Sequence, residues 1–175
     1  MDDSDCPHPP KPIGRRGFTT LASAGILMLS GLEVARAADG ADALLLTCID
    51  YRLTGKVADY MNDRQLAGKY DHVILAGAAL GAVTPRYPEW GRTFREHLAI
   101  AIELHHIKEV IAIDHRDCGA YKLILGHDYA ADPEKETRIH TEMLHRLRDE
   151  IHALHPKLGV KLGLMALDGH VEPIA

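Results

Sequence analysis

Two short stretches carry the residue types that do chemistry: Cys48-Ile49-Asp50-Tyr51-Arg52 and His115-Arg116-Asp117-Cys118-Gly119. Thiolate and imidazole are zinc donors, and a site with three protein ligands keeps a fourth position for water or substrate. A histidine and a cysteine three apart on a tight turn can converge on one ion. The distant Cys48 joins them only if the fold brings the two stretches together. Gly119 suits such a turn, and a helix beginning there favours the Cys118 thiolate. Asp50 and Arg52 alone would be an ordinary surface ion pair; beside Cys48 they become part of the candidate site.

The elements that must position these residues read as alternating strand and helix. Ala43 to Ile49, His72 to Ala78 and Glu109 to Ile113 are short apolar runs of the kind buried parallel strands show, and Val160 to Leu167 is a weaker fourth. Helical patterns fill Gly55 to Ala67 and Trp90 to His106, the second apolar on more than one face. A third helix opens at Asp132-Pro133, with aspartate as N-cap, proline in the first turn, and Glu134 and Glu136 near the positive end of the dipole. Its apolar stripe is Ile139, Met143, Leu147, Ile151 and Leu154. His140, His145, His152 and His155 fall mostly off that stripe and are expected at the surface. The order predicts a three-layer α/β fold: a mainly parallel sheet of about four strands flanked by helices. Ligands in such sheets bind beyond the carboxyl ends of the strands, which is where Cys48 and Cys118 fall.

The chain has 175 residues, 46% hydrophobic and 26% charged, enough for one globular core without disulfide staples. Its formal charge of −5 does not favour a nucleic-acid backbone or an anionic membrane. Gly14-Arg15-Arg16-Gly17-Phe18 followed by an apolar stretch and Ala35-Arg36-Ala37 reads as an export signal. The adjacent arginines resemble the twin-arginine translocation motif, which addresses folded proteins across the bacterial inner membrane. The apolar run is broken by Ser23, Gly25, Ser30, Gly31 and Glu33 and is too short for a stable membrane anchor. The expected organisation is residues 1–37 as signal and residues 38–175 as a single zinc domain, exported to the periplasm after cleavage near Ala37.

Removing the signal takes away Cys6 and His8, leaving two cysteines, Cys48 and Cys118, and eleven of the twelve histidines. In an exported protein the alternative for such a pair is a disulfide. Against it stand His115, where a third ligand is wanted, and an export route in which the protein folds around metal before meeting an oxidant.

Cys48-x-Asp50-x-Arg52, followed after one βα unit by His115-x-x-Cys118-Gly119, resembles the β-class carbonic anhydrases. The similarity covers most of residues 43–170, including the helix and strand that lead to the histidine. The resemblance implies one zinc ion per subunit on Cys48, His115 and Cys118. It makes Asp50 and Arg52 an aspartate–arginine dyad in which arginine holds the carboxylate and leaves the fourth zinc position to water. In the family's closed form Asp50 itself is the fourth metal ligand. The implied activity is reversible hydration of carbon dioxide to bicarbonate and a proton by zinc-bound hydroxide. A homodimer or higher homo-oligomer is implied as well. Hydrolysis of carbonyl sulfide or carbon disulfide, or an inactive zinc-binding protein, are the alternatives on the same scaffold. Two departures bear on the site: Ala78 stands where the family usually carries an asparagine, and Asp114 precedes His115 where a glycine is common. Asp114 could orient the imidazole or face solvent.

Overall fold

A computed structural model describes residues 40–175. The signal at 1–37 and the boundary after Ala37 lie outside the described residues. Five strands form one sheet in the order β2-β1-β3-β4-β5: β1 (Ala43–Thr47), β2 (Tyr70–Ile74), β3 (Glu109–His115), β4 (Gly159–Met165) and β5 (Val171–Ile174). The first four are parallel, and β5 returns antiparallel to β4. Five helices complete the described residues: α1 (Thr54–Asp63), α2 (Ala78–Val83), α3 (Pro88–His105), α4 (Gly119–Leu125) and α5 (Pro133–Leu154).

Alternation along the strands sends residues to two cores. Leu44, Leu46, Val110, Ala112 and Leu162 pack against α2, α3 and α5, whereas Ala43, Leu45, Ile111, Ile113 and Met165 pack against α1. β1 and β3 are buried along their length because both of their faces are covered. The mainly parallel sheet between helical layers is the predicted architecture, with two differences that matter.

The second strand ends at Ile74 rather than running to Ala78. Gly77 takes a left-handed φ of 79°, and Ala78 opens the fully buried helix α2 with a φ of 39°. A run such as LAGAALGAV is apolar all round, so periodicity alone does not separate a buried strand end from a buried helix. α2 is small because α3 crosses close to it: a Cβ at Gly91 would collide with the Ala82 carbonyl. The fifth strand, VEPI, was not expected. It is short, contains Pro173 and sits at the sheet edge, where proline is tolerated.

Helix α5 begins as expected, with the Asp132 side chain accepting from the Lys135 N–H at 3.0 Å. Its buried face is Glu136, His140, Met143, Leu144, Leu147 and Ile151, with Leu154 58% exposed. His140 is therefore interior, not a surface histidine, because a partner on β3 receives it.

Candidate metal centre

β1 and β3 are neighbours, with Thr47 in register with Ile113. The residue after Thr47 is Cys48, and two residues beyond Ile113 is His115, the last residue of β3. The chain then turns through Asp117, which takes a left-handed φ of 56°, and enters α4 with Cys118 as N-cap. Sheet order thus converts a sequence separation of 67 residues between Cys48 and His115 into contact at one strand-end crevice.

One donor atom each from Cys48, His115 and Cys118 lies within 4.8 Å of the other two. The sulfurs are 3.8 Å apart, far beyond a disulfide bond of about 2.05 Å, and both cysteines are free. The disulfide alternative is not what the fold holds. His115 is 2% exposed, its Nδ1 donates to the Arg116 carbonyl at 2.8 Å, and its Nε2 is buried without a hydrogen-bond partner. An orphaned imidazole nitrogen costs free energy unless something fills its lone pair. Two sulfurs beside it form the donor set that a tetrahedral thiophilic cation satisfies, so the residues present fit a metal ion.

Electrostatics sort the two thiols. Hydrogen bonding from Cys118, with help from His115 and the Gly77 N–H at 3.2 Å, outweighs burial and lowers Cys48 to about 4. The same neighbour acts oppositely on Cys118: the Cys48 thiolate, reinforced by burial, pushes its thiol up. Burial works against a charged His115, but the Cys48 thiolate beside it, the bond to the Arg116 carbonyl and the charge of Asp50 raise it.

Asp50 stands beside this cluster rather than in it. Arg52 grips both carboxylate oxygens, Nε to Oδ1 at 2.9 Å and Nη2 to Oδ2 at 2.7 Å, and its own N–H adds a third bond at 3.0 Å. That grip holds the Asp50 carboxyl below its ordinary range, and Asp50 and Asp117 together raise the guanidinium. Arg52 also reaches the Asp117 carboxylate at 2.7 Å and its carbonyl at 3.0 Å, bridging the two motif stretches. Asp50 Oδ2 is 3.8 Å from His115 Nε2, which faces it toward the donor cluster without a direct bond. A cavity of about 230 Å³ opens beside Cys48, walled by Ile49, Leu53, Val57 and Ile74 with Thr47 and His72.

Glu136, Tyr121 and His140 were not expected at the site, and Asp114 takes neither of its two expected positions. Asp114 neither faces solvent nor touches the His115 ring. It is 1% exposed, and its carboxylate accepts from the Ala79 N–H at 2.9 Å, from His140 Nδ1 at 2.8 Å and from the Tyr121 hydroxyl. Glu136, 4% exposed, accepts from the Asp117 N–H at 2.6 Å and from Arg116 at 3.2 Å. A charged residue inside the apolar run EVIAIDH was the available signal for Asp114. Nothing in the local sequence marks Tyr121 or His140 as its partners.

Comparison with known proteins agrees with this geometry. The fold is that of the β-carbonic anhydrases. The chain is similar to a carbonic anhydrase from Glaciozyma antarctica, 21% identical with a TM-score of 0.51, covering 78% of this chain and 83% of that one. A β-carbonic anhydrase of Aspergillus fumigatus is 15% identical with a TM-score of 0.50 over 77% of this chain and 76% of its own. A tetrameric β-carbonic anhydrase from Sordaria macrospora is 12% identical, also at 0.50, over 78% and 82%. A family model described as "Putative carbonic anhydrase" matches residues 38–172, and the chain belongs to that family. Uncharacterized proteins of Rickettsia conorii and Rickettsia bellii are each 40% identical over 134 residues, 77% of this chain and 72% and 82% of theirs. No helix among the described residues is long and apolar enough to cross a membrane.

Proposed function

We propose that this protein is a zinc-dependent carbonic anhydrase that hydrates carbon dioxide reversibly to bicarbonate and a proton. The observation that carries the reading is the partnerless, buried Nε2 of His115 facing two free cysteine sulfurs, with an arginine-held carboxylate alongside. Cys48, His115 and Cys118 hold the ion, which when bound supplies a Lewis acid that makes water nucleophilic near neutral pH.

The chain's own groups do the rest. The His115 Nδ1–H bond to the Arg116 carbonyl selects the tautomer whose Nε2 lone pair is free to coordinate. The Gly77 N–H on Cys48 tempers that thiolate. Asp50 accepts a hydrogen bond from the attacking water and thereby orients the lone pair that meets carbon. Arg52 keeps Asp50 ionised and fixed in place, through two parallel bonds that lysine cannot reproduce. Apolar walls at Ile49, Leu53, Val57 and Ile74 suit a small uncharged substrate.

A homodimer or higher homo-oligomer belongs to the same reading. Its support is the tetrameric Sordaria relative and the exposure of Ile49 at 64% and Ile74 at 50%, beside the crevice. Export of the folded protein after cleavage near Ala37 rests on the twin-arginine pattern alone.

Stopped-flow carbon dioxide hydration by zinc-loaded protein and by Asp50→Asn is the test. Metal-dependent hydration across pH 7 to 9, lost to about 10²-fold or more in the variant, is expected. Sulfide release from carbonyl sulfide or carbon disulfide without hydration would replace this activity with the hydrolase one. A zinc-loaded but inert protein would leave a binding role.

A further inference from the structure

The Asp114 carboxylate is fully buried next to His115, and two of its three partners sit on segments that carry or touch a donor. Asp114 itself precedes His115 on β3. Tyr121, whose hydroxyl it accepts, is three residues after Cys118 in α4. Ala79, whose N–H it accepts at 2.9 Å, is two residues after Gly77, and the Gly77 N–H bonds the Cys48 sulfur at 3.2 Å. His140 closes the set from α5 at 2.8 Å, with its ring packed on Tyr121 at a centroid separation of 3.8 Å. One turn earlier on the same helix, Glu136 holds the Asp117 N–H at 2.6 Å and so grips the turn between His115 and Cys118.

We propose that Asp114, clamped by Tyr121 and His140, is a positioning residue that presets the spacing of the Cys48, His115 and Cys118 donor atoms for a metal ion it never touches. This rests on the metal-site reading above. The physical basis is that a buried carboxylate must keep its donors, because each donor orphaned in the interior costs about 1–3 kcal/mol. Its three partners are therefore not free to drift, and the three donor segments move as one body. Ligand sites lose affinity when such supports are released, because the donors must then be gathered at binding. α5 is the splint, holding the site at Glu136 from the turn side and at His140 from the core side.

The test uses near-isosteric variants that differ in one donor. His140→Asn keeps an N–H close to the position of Nδ1, whereas His140→Leu has similar volume and no donor. Zinc affinity is measured by chelator competition, and coordination by the visible absorption of the cobalt-loaded protein. His140→Leu, Tyr121→Phe and Asp114→Asn are expected to lose about 10- to 100-fold in affinity with an altered cobalt spectrum. His140→Asn should stay within about threefold of wild type, the range one retained hydrogen bond allows. Wild-type affinity and spectrum in His140→Leu would overturn the proposal, as would equal losses in His140→Asn and His140→Leu, which would make His140 mere packing.

A second readout needs no metal. Amide exchange at Gly77 and Ala79 in the metal-free protein should rise about tenfold or more in His140→Leu while β1 and β3 amides stay protected. If wild-type protein takes up neither zinc nor cobalt, the metal reading fails. The exchange pattern then decides positioning: local loosening at Gly77 and Ala79 supports it, and unchanged or uniformly raised exchange overturns it.

Discussion

Two aspartates flank the donor cluster, one at its mouth and one at its floor, and they are held in opposite ways. Asp50 keeps 14% of its side chain exposed and is gripped by the guanidinium of Arg52, itself 34% exposed. Asp114 has no exposed side-chain surface and is held by a histidine, a phenol and a backbone N–H. A carboxylate paired with a charge near solvent contributes little to stability, since water competes for both partners. A carboxylate sealed among hydrogen-bond donors cannot lose one without leaving an unsatisfied group. On the proposed function, the same functional group would serve chemistry at the mouth, where it must change partners, and geometry at the floor, where it must not.

The largest effect would remove what both aspartates serve. His115→Ala or Cys48→Ser should abolish stoichiometric zinc retention, measured by metal analysis after gel filtration, and hydration should vanish with it. Next, Asp114→Leu should lower urea-unfolding stability by about 3–5 kcal/mol, because His140, Tyr121 and Ala79 lose their acceptor together. Asp50→Asn should show the reverse pattern: hydration down about 10²-fold or more, with stability changed by less than about 1 kcal/mol. Equal stability losses in these two variants would erase the distinction between mouth and floor. Arg52→Lys is a smaller step, expected to lower the hydration rate about tenfold because a point charge replaces a bidentate grip. Circular dichroism melts of Arg52→Lys should stay close to wild type.

Cys48, His115 and Cys118 were legible in the sequence because their residue types have few other reasons to sit together at strand ends. The strands β1 and β3 were legible because burial on both faces leaves an unbroken apolar run. The end of β2 was not, since Ala76-Gly77-Ala78 is equally compatible with strand and buried helix, and only packing under α3 decides between them. His140 was misplaced at the surface because an apolar stripe cannot anticipate a buried histidine. Its burial is affordable only if an acceptor waits inside, and that acceptor is 26 residues away on another element.

By itself, then, the sequence determined the donor types, the alternation that yields a parallel sheet, and the strand ends where donors collect. These depend on local chemistry and on periodicity, which each segment carries alone. The tertiary structure alone decided that Asp114 is sealed inside, and which groups hold it there. That choice depends on solvent exposure and on partners contributed by α2, α4 and α5, and neither exists until those elements pack.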